Sequence, residues 1–265
     1  MQWVDIGANL VSRQFSSDLE AVMERAKGAG VTRMIVTGTD GPGSAASAEL
    51  CRGREGLWST AGVHPHHASD FTDATREELK ALSERPEVVA IGECGLDFNR
   101  NFSPRDAQIR AFAHQLELGA ETGLPLFLHQ RDAHDTFFAM LREAWSSLPG
   151  GAVVHCFTEG PKEAAEYLEL GCHVGITGWV ADERRGAALR DAVLEIPTDR
   201  LMLETDAPYL MPRNIQPKPE TRRNEPMNLP WVAREVAALR TESIEELSRS
   251  AWDATSTFFR LDEGA

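Results

Sequence analysis

The chain of 265 residues reads as an α/β fold, a TIM (β/α)8 barrel in one domain spanning residues 1–265, and three observations point there. Short apolar, β-branched runs alternate with longer helical stretches almost without pause. There are eight such runs, each near-continuously apolar, as strands buried on both faces of a parallel sheet must be. The length is also that of one barrel, since α/β barrels commonly use ~250 residues as a single unit. An open doubly wound sheet is the competing arrangement. It is disfavoured because no G-x-G-x-x-G follows the first run and no G-x-x-x-x-G-K-[ST] occurs anywhere.

The elements follow in order. A strand at 3–6 precedes a helix at 18–29, closed by Gly30 where a C-cap belongs. Strand and helix then alternate as 33–37 and 44–54, 58–63 and 76–84, and 88–93 and 105–122, the last stopped by Gly123. The pattern continues through 126–129 and 133–145, 152–155 and 162–170 before Gly171, 173–177 and 185–194, and a final strand at 201–204. Residues 206–227 carry Pro208, Pro212, Pro217, Pro219 and Pro226 and form the one long irregular stretch, which is more often functional than idle. Helices at 229–240 and 244–259 complete the chain.

Composition narrows the function. Lysine and arginine total 27 against 41 aspartates and glutamates, a net charge of -14 that repels polyanions at long range and argues against a protein that coats DNA through a basic surface. A nucleic-acid enzyme survives this test, because bound cations and local arginines can reverse the field inside one cleft. Cys51, Cys94, Cys156 and Cys172 show no C-x-x-C pairing, so a reducing compartment is expected. With no basic leader and no apolar run near ~18 residues, the expectation is a cytoplasmic protein without a membrane, and no obligate protein partner is evident.

In a barrel, the residues that end the strands meet at one mouth. Glu93, His129, His155 and Asp206 stand at four such ends, separated by 36, 26 and 51 residues, spacings that no local helix geometry explains. Two imidazoles and two carboxylates form a donor set suited to Mg²⁺, Mn²⁺ or Zn²⁺, and a carboxylate can bridge two ions. His64 and His66 flank Pro65, which forces an extended turn; they are expected to contact substrate or support the ligands rather than share an ion. Arg100 and Arg131 leave the fourth and fifth strands, and their bidentate forks suit phosphate. Arg222 and Arg223 belong to a local excess of cations in the long loop, also a candidate phosphate contact. Cys94 and Cys156 directly follow expected ligands, so strand alternation should turn them away from the mouth. Phe98, Phe102 and Trp179 can be packing residues or platforms for bases.

These residues lie in Gly62-Val63-His64-Pro65-His66, Gly92-Glu93-Cys94-Gly95-Leu96-Asp97, His129-Gln130-Arg131-Asp132, His155-Cys156-Phe157-Thr158, Glu204-Thr205-Asp206-Ala207-Pro208-Tyr209-Leu210 and Arg222-Arg223-Asn224-Glu225-Pro226. In that fixed order the chain resembles the TatD family of metal-dependent deoxyribonucleases, essentially from Asp5 to Phe259. The resemblance implies an amidohydrolase-like barrel that cleaves phosphodiesters with one or two divalent ions, Mg²⁺ before Mn²⁺ or Zn²⁺. It implies Glu93 as the shared ligand, His129 and His155 as ligands of one ion, and Asp206 as ligand or base. It further implies a monomer with 3′ to 5′ exonuclease activity on single-stranded DNA and RNA and a role in DNA repair and fragmentation. One departure stands out: Gly7-Ala8-Asn9 occupies the place where most of the wider family has His-x-His. The other readings the residues allow are a barrel hydrolase of a cyclic amide, lactone or aminoacyl ester, and a catalytically silent nucleic-acid-binding barrel.

Overall fold

A computed structural model describes residues 1–262. The strands are β1 (Trp3–Ala8), β2 (Val31–Val36), β3 (Leu57–Ala61), β4 (Val88–Asp97), β5 (Leu126–Arg131), β6 (Ala152–Val154), β7 (His173–Ile176) and β8 (Leu201–Leu203). The helices are α1 (Leu19–Gly28), α2 (Gly41–Cys51), α3 (Asp73–Ser83), α4 (Arg105–Thr122), α5 (His134–Ala144), α6 (Pro161–Leu170), α7 (Ala187–Val193), α8 (Leu229–Arg240) and α9 (Ile244–Phe259). All strands run parallel, in the order β1 to β8. The segment after β8 closes the ring: Ala8 bridges Ala207, and Asp206 N–H donates to the Gly7 carbonyl at 2.8 Å. The expected barrel is the observed one.

Two apolar layers follow from strand alternation. Val4, Ile6, Ile35, Ala90, Phe127, Val153 and Met202 form one cluster, joined by Phe259 and Leu261 from the end of the chain. The neighbouring strand residues, among them Val36, Ile91, Leu128, Val154, Ile176 and Leu203, pack with the helices in the other. α9 lies against β1 and β8 and covers the end opposite the mouth.

Several boundaries differ from the sequence expectation, for local reasons. α2 begins at Gly41 because the Asp40 carboxylate accepts the Gly43 N–H at 2.6 Å and Pro42 suits the first turn. α3 begins at Asp73 behind a Thr72/Thr75 capping box. α7 begins only at Ala187, since the Asp182 carboxylate takes the N–H groups of Arg184 and Arg185 and holds them in a turn. β4 continues to Asp97, with a register shift between Gly92 and Cys94, whereas β6 and β8 stop one residue before His155 and Glu204. Among the described residues, no helix is long and apolar enough to cross a membrane.

Gly62, just past the end of β3, lies against β4: a Cβ there would stand 2.3 Å from the Gly92 carbonyl carbon. Gly62→Ala must push the two strands apart, and overpacking of this kind destabilises by about 1–3 kcal/mol. Urea unfolding of the purified variant should read that loss.

Candidate metal centre

Glu93 is the hub. Its side chain is only 7% exposed, and three imidazoles converge on Oε1: His155 Nε2 at 2.7 Å, His129 Nδ1 at 3.0 Å and His64 Nε2 at 3.3 Å. Each comes from a different strand end. His129 lies within β5, while His64 and His155 follow β3 and β6. His64, Glu93 and His129 each offer one donor atom to a group lying within 4.8 Å of one another, the dimensions of a cation site.

The electrostatics agree with this role. Burial alone would keep Glu93 protonated, yet the adjacent His155 and His64 and the hydrogen bonds from His129 and His155 hold its carboxyl well below the usual range. Burial pushes His64 down to about 4 against the attraction of Glu93, so it is the neutral imidazole that can ligate an ion. His129 Nε2 is buried without a hydrogen-bond partner, and Asp97 Oδ2 at 3.7 Å is too far to supply one. An orphaned buried nitrogen beside an ionised carboxylate and a neutral imidazole fits a divalent cation.

His155 is held from both sides. Its Nδ1–H donates to Glu204 Oε2 at 3.1 Å, leaving Nε2 to face Glu93. Burial disfavours its charged form, but Glu93 and Glu204 together raise it well above the ordinary imidazole value. Glu204 is fully buried and also accepts the Cys156 N–H. Two glycines make room for it: a Cβ on Gly7 would lie 2.5 Å from Glu204 Oε2, and one on Gly175 would lie 2.6 Å from Oε1. Phe127 lies beneath, its ring 4.5 Å from that of His155. Glu204 lies outside the expected ligand set because it continues an apolar strand; its signal in the sequence is an acid directly after Leu201-Met202-Leu203.

Asp206 completes the mouth on the β8 side. Burial pushes its carboxyl up to about 8, opposed by the charge of His155 and reinforced by Glu93 and Glu204. Asn9 Nδ2 donates to Asp206 Oδ1 at 3.1 Å. Asn9 and Gly7, where the wider resemblance has histidines, thus support Asp206 and accommodate Glu204.

The structure brings Glu93, His129, His155 and Asp206 to one place. It also moves His64 into the donor group instead of beside it, because Pro65 opens a 3-10 turn (Pro65–Asp70) in which His64 Nδ1 accepts the His66 N–H at 3.0 Å and Nε2 is left for Glu93. His66 Nε2 instead meets Asp97 Oδ2 at 2.8 Å. Arg100 and Arg131 are exposed on the loop after β4 and at the end of β5, and Arg222 is exposed in the long loop. Arg223 is engaged elsewhere: its guanidinium binds both Asp18 oxygens at 2.8 Å and Glu225 Oε1 at 2.7 Å, tying the long loop to α1. Cys156 departs from the alternation argument, since it lies beyond β6 with φ 47° and its Sγ is 3.9 Å from Thr177 Oγ1. Cys94 is fully buried.

A parallel eight-stranded barrel with a cation-binding donor set at its mouth defines a metal-binding TIM barrel. The model of the TatD related DNase family matches residues 4–260, and the chain belongs to that family. A protein of Erwinia billingiae named 3′-5′ ssDNA/RNA exonuclease TatD is 54% identical over 258 residues, 97% of this chain and 98% of its own length. A Pantoea vagans protein of the same name is 53% identical over 258 residues, covering 97% and 99%. The crystal structure of a TatD homologue from Escherichia coli superposes with a TM-score of 0.89 at 30% identity, covering 97% of this chain and 98% of that one.

Because Glu204 fixes the orientation of His155, Glu204→Ala should weaken divalent-metal binding about 10–100-fold, the range seen when such supporting carboxylates are removed. Calorimetric titration of Mn²⁺ into variant and parent measures it, with Glu204→Gln retaining more affinity than Glu204→Ala.

Proposed function

We propose that this protein is a divalent-metal-dependent nuclease that removes nucleotides from the 3′ end of single-stranded DNA and RNA. The observation that carries this reading is the convergence of His64, His129 and His155 on Glu93, with Asp206 beside them, at the mouth of a barrel of this family. Relatives at just over half identity carry the name of that activity.

His64, Glu93 and His129, with His155 close by, would hold the ion; Mg²⁺ suits a site with few protein ligands, because substrate oxygens can complete its shell. When bound, it supplies Lewis-acid stabilisation of the charge that develops on a scissile phosphate. The protein's own groups do the rest. Glu204 and Phe127 fix the plane of His155. Burial keeps the Asp206 carboxyl largely protonated at neutral pH without a cation, its pKa lying at about 8; a bound cation would favour the ionised form, which would accept a proton from the attacking water and return it to the leaving oxygen. Asn9 holds that carboxylate in register. Arg100, Arg131 and Arg222 are available to phosphates outside the cation site, while Arg223 serves the loop that walls one side. Removal of single-stranded 3′ ends is chemistry that DNA repair and fragmentation require, and a cytoplasmic monomer without a protein partner suffices for it.

The test is a time course on a 5′-labelled single-stranded oligonucleotide with Mg²⁺ and with chelator. A descending ladder abolished by chelation is expected. Intact strands under every metal, with turnover of a lactone or amide panel or with binding alone, would replace this reading by a non-phosphate hydrolase or a silent barrel. Glu93→Ala and Asp206→Ala should each cost at least about 100-fold in rate, equivalent to roughly 2.7 kcal/mol of transition-state stabilisation.

A further inference from the structure

Among the described residues, two aromatic rings stand largely in water. Phe102 is 66% exposed and Tyr209 is 54% exposed. Both stand on mouth loops, Phe102 between β4 and α4 and Tyr209 after β8. In a closed ring ordered β1 to β8, strands β4 and β8 are diametrically opposed. The two rings therefore flank the mouth from opposite sides.

Neither loop is loose. Asp97 Oδ1 accepts the N–H groups of Asn99 at 3.0 Å and Arg100 at 2.8 Å, and Asn101 Nδ2 donates to the Phe98 carbonyl at 2.6 Å. Ser103, next to Phe102, donates to the His66 carbonyl at 2.9 Å and accepts the Ser69 N–H at 3.0 Å. Gln108 from α4 binds the carbonyls of Asp97 and Ser103. The Phe102 ring is thus fixed edge-to-face on His66, 4.7 Å between centroids, and His66 itself is 4.2 Å from His64 of the donor group. On the other side, Tyr209 N–H donates to the Asp206 carbonyl at 2.9 Å, and Asn224 binds the Pro208 and Thr205 carbonyls at 3.0 Å. The alternative platforms are more closely covered: Arg105 lies over Phe98 at 4.4 Å and Arg185 over Trp179 at 4.6 Å, whereas the guanidinium of Arg100 stands 6.0 Å from the Phe102 centroid.

We propose that Phe102 and Tyr209 are stacking platforms for nucleobases, gripping a single strand from the two sides of the mouth. Every base has a π-face, so such platforms bind without reading sequence, and a paired duplex cannot offer those faces. The proposal rests on the single-strand nuclease reading and names how that substrate is held.

The experiment compares KM and kcat on two oligonucleotides of equal length, one carrying bases throughout and one abasic at the positions nearest its 3′ end. Phe102→Ala and Tyr209→Ala should each raise KM about 10-fold on the base-bearing strand, as loss of one stacked base does. On the abasic strand both variants should match the parent protein, and Phe102→Trp should restore KM on the base-bearing one. Parental KM in both alanine variants, or an equal loss on both strands, overturns the proposal. A loss confined to one ring overturns the two-sided arrangement. If the parent protein shortens neither strand, the nuclease reading has failed by itself, and fluorescence anisotropy of the same labelled strands still decides the stacking. A base-dependent loss of affinity in the alanine variants upholds it, and equal affinity refutes it.

Discussion

The structure turns on one buried carboxylate surrounded by three imidazoles. Glu93 is sequestered in a strand whose ten residues are all buried, where an isolated negative charge would be prohibitively expensive. It remains ionised because His64, His129 and His155 arrive from the ends of three other strands. No two of these residues are near one another in the chain. The strand order and register of the barrel are what make the charge affordable, so fold and site are energetically one object.

The same logic repeats one layer lower. Glu204 is a second fully buried acid, and its partners are His155 Nδ1 and the Cys156 backbone. Asp5 forms a third level, accepting the Thr205 hydroxyl and N–H while burial lifts its carboxyl to about 7. His155 thus couples two carboxylates through its two nitrogens, which sets its ring plane from below before any cation is present. Gly7 and Gly175 belong to this arrangement because any side chain there would occupy the space of Glu204. A histidine at position 7 and a carboxylate at 204 in its present pose are mutually exclusive, a steric reason for glycine where the wider resemblance has an imidazole.

The parts of the architecture legible in the sequence were those set by local periodicity and by the strand-end rule. The βα alternation located all eight strands, and the rule selected Glu93, His129, His155 and Asp206 from sequence positions far apart. What escaped was set by contacts the chain makes at a distance or by backbone turns. Arg223 looked like one more cation in a basic loop, but its partner Asp18 lies 205 residues away. His64 was set aside because neighbouring histidines seldom share an ion; the 3-10 turn opened by Pro65 sends it to Glu93 and sends His66 to Asp97. Cys156 was assigned by alternation beyond the point where the strand had ended. For Cys156, period-two reasoning was applied to a backbone that had already turned, whereas Arg223 and His64 were decided by contacts that local charge and spacing do not encode.

Charge leaves a physical problem that the geometry answers. A protein of net charge -14 meets a polyanion with long-range repulsion, so binding must be carried by short-range contacts inside the cleft. On the proposed function, three forces would operate at that range: a cation held at Glu93, arginine forks at the rim, and apolar faces that bases can cover. The first two act on every phosphate, in duplex and single strand alike. Stacking distinguishes between them, because in a duplex the base faces are already occupied by neighbouring bases. Phe102 and Tyr209, carried by hydrogen-bonded loops on two sides of the mouth, would in the proposed arrangement supply selectivity for unpaired ends without a net positive surface, and the acidic remainder of the molecule discourages binding elsewhere.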